Sequence, residues 1–181
     1  MLEIRLHGRG GQGGVTVAEL LARAVIDSGR FAQAFPSFGP ERRGAPVVAF
    51  VRVDDKQIRL REKIYEPNMV LVLDPTLLDI VDVAEGLKEG GTVVVNSDLS
   101  PKELKKKYGW PNAASVDANT VALEELGVPI TNTTMLGALL KAGDIVPVEA
   151  MEPIIADRFG PKLGPKNFGA MQRAFKETQV A

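Results

Sequence analysis

The chain has 181 residues, 45% hydrophobic and 25% charged, with a formal net charge of -1, which describes one globular domain, 1–181, long enough to bury a core unaided. It holds no cysteine and one histidine, His7, so disulfides, thiolate nucleophiles, thiolate zinc sites and cysteine-ligated iron–sulfur clusters are excluded together. A pI near 5.9 leaves no global basic field for nucleic acid, no apolar run nears the roughly 20 residues that span a bilayer, and no signal peptide opens the chain, so a cytoplasmic protein without nucleic-acid or membrane partners is expected.

Leu2 to Leu6 alternate as a first strand. The stretch that follows, Gly8-Arg9-Gly10-Gly11-Gln12-Gly13-Gly14, sits where that strand turns into a helix over Val15–Ser28. Glycines let the backbone take positive φ or meet another group closely, and the free amides of a helix start attract anions. Gly8-x-Gly10-x-x-Gly13 fits the dinucleotide fingerprint, which also wants an acidic residue about 20 residues on to hold the ribose. That region reads Phe31-Ala32-Gln33-Ala34-Phe35-Pro36 and has no carboxylate. A P-loop is excluded too, because Gly14-Val15 follows Gly13 where Lys and Ser or Thr are required. A tight turn used for packing or for a partner ranks above nucleotide binding. His7, beside this loop, is the only ring on which a triad could rest, and it reads as a packing or hydrogen-bonding residue before a catalytic one.

In the first helix Val17, Leu20, Leu21, Ala24 and Val25 share one face, Glu19, Arg23 and Asp27 line the solvated one, and Gly29 supplies the stop. Phe31–Phe35 reads as a second strand. The proline- and glycine-broken segment 36–46 then forms a long stiff loop, of the kind that is usually functional, carrying Glu41-Arg42-Arg43. Val47–Val53 and Ile58–Arg61 are predicted to pair as an antiparallel hairpin. The unbroken run Met69–Leu73 is a doubly covered strand, with Asp74 expected to cap a helix that Pro75 opens. Capping is preferred to catalysis for Asp74.

Thr92–Asn96 is a further buried strand, and Ser100-Pro101 starts a helix through Lys107 whose lysines read as a solvated face. Ala113–Val116 is a short strand, and Asp117–Thr120 opens a helix to Leu126. The run Ile130-Thr131-Asn132-Thr133-Thr134, rich in side chains that bond backbone amides, precedes an apolar helix closed by Gly143. Val148, Met151, Ile155 and Phe159 form one helical stripe, broken or restarted at Pro153, and Phe168, Met171 and Phe175 form a last one. The expected fold class is therefore α/β, a three-layer α/β/α arrangement with a mostly parallel sheet and an added antiparallel hairpin.

These residues also carry a resemblance. Gly8-Arg9-Gly10-Gly11-Gln12-Gly13 with its helix, the run from Gln33 to Val47 (Gln33-Ala34-Phe35-Pro36-Ser37-Phe38-Gly39-Pro40-Glu41-Arg42-Arg43-Gly44-Ala45-Pro46-Val47), Pro67-Asn68 before the strand ending at Asp74, and Asn132-Thr133-Thr134-Met135-Leu136-Gly137 resemble the gamma subunit of 2-oxoacid:ferredoxin oxidoreductases. The likeness is strongest to the pyruvate and 2-oxoisovalerate type and covers nearly the whole chain. One departure is Asn68, where relatives usually carry Asp, a change expected to touch a strand-entry hydrogen bond.

The resemblance implies a complex that converts a 2-oxoacid and coenzyme A to an acyl-CoA and carbon dioxide while reducing ferredoxin. It implies alpha, beta and delta subunits as partners, with thiamine diphosphate between alpha and beta and iron–sulfur clusters in beta and delta, and none of these cofactors bound by this chain alone. It gives the gamma chain no catalytic residue and no metal ligand. It implies a structural role with a candidate place at the CoA cleft, for which Gly8, Gly10, Gly11, Gln12, Gly13, Arg42, Arg43 and Asn132 are the candidate binding or docking residues. The alternative is a free-standing nucleotide- or CoA-binding α/β protein using the amides of Gly10 to Gly13. The missing ribose carboxylate and the missing acid–base pair favour the subunit.

Overall fold

Strand β1 (Leu2–Arg9) runs up to the glycine loop, and helix α1 (Gly14–Asp27) leaves it. In the computed structural model, which describes residues 1–37 and 42–181, the five apolar positions that share a face in α1 are all buried. The chain then builds β2 (Phe31–Pro36) and β3 (Pro46–Asp54), crosses to β4 (Met69–Val72) and continues through β5 (Thr92–Asn96), α2 (Pro101–Tyr108), β6 (Asn112–Val116) and α3 (Ala118–Leu126). Helices α4 (Asn132–Gly143) and α5 (Glu152–Glu177) and a two-residue strand β7 (Gln179–Val180) complete it.

The seven strands form one sheet in the order β2-β3-β1-β4-β5-β6-β7. β1, β4, β5 and β6 are a parallel block, and antiparallel pairings add β3 and β2 at one end and β7 at the other. The mixed, mostly parallel α/β sheet expected from the sequence is therefore present. Its two covering layers are unequal. One face carries α1, α3, α4 and α5 over a core that includes Ile4, Leu6, Val17, Leu21, Leu71, Val94, Leu136, Leu139 and Met171. The other carries α2, a short 3-10 helix (Pro75–Asp79) and irregular segments over a smaller cluster around Val70, Val72, Val95, Leu104 and Trp110.

The antiparallel addition differs from the expected one. Val47–Val53 does lie in a strand, but its partners are β2 on one side and β1 on the other. Ile58–Arg61 is irregular. Four alternating residues are a short signal, and once β1 and β2 hold both edges of β3 no ladder is left for them. They cross the open sheet face instead, where the Leu60 and Lys63 carbonyls accept from Gln33 and Arg52.

The predicted break at Pro153 also moves. Pro153 falls in the first turn of α5, where a missing N–H costs little because a first-turn N–H has no partner within its own helix. The break sits at Gly160, with φ 74° and ψ -178°, followed by Pro161. Asn68 does take a strand-entry bond, its Oδ1 accepting from the Glu3 amide at 2.8 Å.

Candidate functional site

At the carboxyl end of the parallel block the chain goes one way from β1 into β3 and β2 and the other way into β4, β5 and β6. Such a switch point leaves a crevice above the strand ends. Here it is a cleft of about 420 Å³ lined by the glycine loop (Gly11, Gln12, Gly13), the end of β4 (Leu73 to Thr76), Asn96, Asn119 and the segment Pro129–Asn132. The starts of α1 and α4 both border it, and neither carries a side-chain cap. At the start of α4 the Thr133 amide donates to Asn132 Oδ1 at 2.8 Å, and the remaining first-turn amides of the two helices give the crevice a partial positive charge suited to an anion.

The glycine loop is held by its own motif. Gln12 Oε1 accepts from the Arg9 amide at 2.7 Å, and the Gln12 amide donates to the Arg9 carbonyl at 3.0 Å. The Gln12 side-chain amide and Arg9 Nε then donate to the same oxygen of Asp74, at 2.8 and 3.1 Å. Asp74 also accepts from the Thr76 amide and hydroxyl at 3.0 and 2.6 Å, which makes it the expected cap. Burial alone would raise the Asp74 carboxyl, but the bonds from Thr76 and Gln12 and the charge of Arg9 hold it below the usual range. With both oxygens engaged it is a latch between loop and strand end and a poor proton acceptor.

Gly10 and Gly13 need glycine for different reasons. A Cβ on Gly10 would collide with the Arg42 carbonyl, because the backbone of 43–45 lies against it: the Gly10 amide donates to the Ala45 carbonyl at 2.9 Å and Gly44 donates back at 3.1 Å. Gly13 takes φ 79° and would bring a Cβ within 2.6 Å of the Asn132 side-chain nitrogen. Arg9 fastens the same region from its side chain, donating to the Gly44 carbonyl at 3.1 Å and to the Thr76 hydroxyl at 2.9 Å.

Of the residues singled out from the sequence, the fold brings Gly11, Gln12, Gly13 and Asn132 together on the crevice wall. Gly8 packs against Leu73 beneath it, and Gly10 faces the 42–45 backbone. Arg42 and Arg43 are exposed beside the crevice and do not line it. Glu41 lies outside the described residues. Sequence reasoning passed over Arg9, though it stands inside the motif, and the asparagine pair Asn96 and Asn119. Asn96 accepts from the Ala118 amide at 3.0 Å and donates to the Leu73 carbonyl at 3.2 Å, tying β4, β5 and α3 together under the cleft.

His7 is buried and accepts from Arg5 Nε at 3.1 Å. Burial, then the Arg5 charge, push its pKa down to about 4. A neutral ring locked under an arginine is the hydrogen-bonding residue expected. No cluster of three or more His, Cys, Asp or Glu able to hold a metal occurs among the described residues, and none of their helices is long and apolar enough to cross a membrane.

Fold and crevice together define a class: a doubly wound α/β domain with two helix starts bordering its switch point and no cysteine in its sequence. The family model for pyruvate ferredoxin/flavodoxin oxidoreductase matches residues 3–177, and the chain belongs to that family. It is 56% identical over 99% of its length to the pyruvate/ketoisovalerate oxidoreductases common subunit gamma of Thermococcus litoralis, covering 98% of that protein. It is 51% identical to pyruvate synthase subunit PorC of Methanocaldococcus jannaschii, covering 98% of this chain and 97% of the relative.

Among solved structures, the PORC subunit of pyruvate oxidoreductase from Thermotoga maritima superposes with a TM-score of 0.88 at 38% identity, over 99% of this chain and 98% of that one. The 2-oxoglutarate:ferredoxin oxidoreductase of Magnetococcus marinus, solved with coenzyme A and succinyl-CoA, shares the fold with a TM-score of 0.76 at 20% identity over 96% of this chain and 30% of that one. The relatives are gamma, or PorC, subunits of 2-oxoacid:ferredoxin oxidoreductases, and this chain is a subunit of such a complex.

Proposed function

We propose that this chain is the gamma subunit of a thiamine-dependent 2-oxoacid:ferredoxin oxidoreductase, inactive alone, and that its crevice faces the anionic part of coenzyme A while the 42–45 loop docks on the subunits that carry the chemistry. The observation that supports it is the convergence of two uncapped helix starts on a cleft whose one carboxylate, Asp74, is already engaged by Arg9, Gln12 and Thr76. Backbone amides, Asn132 and Thr131 suit phosphate oxygens, and Leu73, Pro75, Pro129 and Ile130 suit an uncharged chain.

The other groups of the complex do not fit here. A chain without cysteine cannot ligate an iron–sulfur cluster, and no acidic cluster among the described residues could hold the divalent metal a diphosphate needs. Those belong to alpha, beta and delta partners, which also pass electrons to ferredoxin. Coenzyme A, when bound, supplies the thiol that takes up the acyl group; this chain's part is to bind and orient. The shared-subunit name of the Thermococcus relative further suggests that one such chain serves both a pyruvate and a branched 2-oxoacid complex.

The test is Asn132→Ala in the reconstituted complex. It removes a donor at the crevice while leaving α4 its apolar anchors, so the KM for coenzyme A should rise severalfold with kcat near wild type. An unchanged KM, or turnover of pyruvate by the pure subunit, would overturn the reading.

A further inference from the structure

The free edge of the sheet carries a second, independent feature. β2 ends the strand order, and among the described residues β3 is its only ladder partner. Its first five residues, Phe31-Ala32-Gln33-Ala34-Phe35, read the same in both directions. We propose that two copies of this chain pair through β2, antiparallel about a two-fold axis at Gln33, so that one sheet runs through both.

The backbone supports this register. The Ser37 amide donates to the Val48 carbonyl at 2.7 Å, and Pro36 lies opposite Ala49, so by antiparallel alternation Phe31, Gln33 and Phe35 spend their amides on β3 while Ala32 and Ala34 point theirs outward. Paired about Gln33, Ala32 of one copy faces Ala34 of the other, and the two such pairs exchange four N–H···O bonds. The pairing cannot slide further. Pro36 has no amide to give, and the Arg30 amide is already bound to the Val25 carbonyl at 3.2 Å.

The side chains agree with the backbone. Ala32 and Ala34 face the core beneath α1, where small residues let a second copy's helix approach. Phe31, Gln33 and Phe35 lie on the opposite face, with Phe35 on Phe50 and Gln33 bonded to Arg52. Phe31, 45% exposed, meets Phe35 of the second copy as a cross-strand aromatic pair. An isologous contact wants each residue set against a like one, and a palindromic strand does that. No charge falls within the five residues, so none is set against its own kind.

The absence of cysteine makes the register directly readable. In Gln33→Cys the two thiols would face each other at a non-hydrogen-bonded pair, where Cα atoms lie about 4.5 Å apart, within disulfide reach. In Phe31→Cys they would be offset by four residues, roughly 13 Å along the strand, and out of reach. The wild-type chain should sediment at twice its 19.5 kDa mass, and mild oxidation should link Gln33→Cys but not Phe31→Cys.

Ala34→Pro removes an outward donor without touching the β3 ladder and should weaken the dimer at least tenfold. If Ala34→Pro does not fold, the cysteine pair alone decides. A monomer at all concentrations, equal linking of both cysteine variants, or an edge that becomes covered only when other subunits are added overturns the proposal.

Discussion

The two faces of the sheet are built on different principles. Under α1, α4 and α5 the contacts are apolar side chains at helix and strand spacing, and α4 and α5 approach until Gly137 touches the Met171 backbone. On the far side of β1 and β3 the inward positions include Glu3, Arg5, His7 and Arg52 beside Phe50. Arg52 bonds Glu3 at 2.9 Å with Phe35 beneath its guanidinium, and Arg5 reaches the Val83 and Glu85 carbonyls. There the cover is rope-like chain instead of helix, and arginines bind it by its carbonyls. A helix satisfies its own backbone and needs only an apolar stripe to bury, whereas an irregular strap brings carbonyls that need donors. The charged face is what a sheet shows when a strap replaces a helix.

The sharpest way to break this contrast is Arg52→Ala. The side chain is 1% exposed, and its loss leaves Glu3 Oε1, the Gln33 amide oxygen and the Lys63 carbonyl without this donor, with Lys88 alone remaining on Glu3 Oε2. Unfolding free energy should fall by about 3–5 kcal/mol, measured by urea titration. A loss under about 1 kcal/mol would mean that the strap is held by something else.

Next in size is an acid effect carried by His7. Its folded pKa of about 4 lies below the ordinary 6.5, so between those values the unfolded chain binds more protons and stability falls as pH drops from 6.5 to 4, levelling below. Full expression amounts to about 3 kcal/mol. His7→Gln keeps an acceptor for Arg5 without a proton site and should flatten that window in denaturant melts taken along the pH series. On the apolar face the matching probe is Gly137→Ala, whose Cβ meets the Met171 carbonyl; overpacking there should cost about 1–3 kcal/mol with no pH dependence.

The same contrast explains what the sequence made legible. The α1 stripe, the Met69–Leu73 run, the helix start at Ser100-Pro101 and the Asp74 cap all depend on neighbours a few residues away, and each appears where periodicity and capping rules put it. Ile58–Arg61 misled because its alternation is local while its fate was decided by β1 and β2 occupying both edges of β3. β7, two residues long, has no pattern to read. At the site, the glycines announced a turn, but that Gly10 serves the 42–45 backbone and Gly13 serves Asn132 is a matter of contacts made across 32 to 35 and 119 positions of chain. Arg9 was hidden for the same reason: its partners, Gly44, Asp74 and Thr76, are distant in sequence.

The smallest effect on folding is expected at Arg42 and Arg43, and it separates surface from interface. Both side chains are exposed, while the backbone that carries them is clamped to Gly10 by paired bonds and to Arg9 through the Gly44 carbonyl. The clamp does not use the guanidinium groups, so replacing both by alanine should leave the urea midpoint of the isolated chain unchanged, as for other surface positions. What it removes is two planar cations held beside the crevice on a preorganised segment, the arrangement that suits a carboxylate or phosphate contact with little further loss of entropy. In the reconstituted complex the double variant should therefore bind its partner subunits more weakly or raise the KM for coenzyme A, with the larger change at low salt if the contact lies at an exposed rim, because salt screens the wild-type contact. If assembly, coenzyme A dependence and turnover all match wild type, the arginines are solvated surface and the loop's contribution ends at the backbone bonds to Gly10.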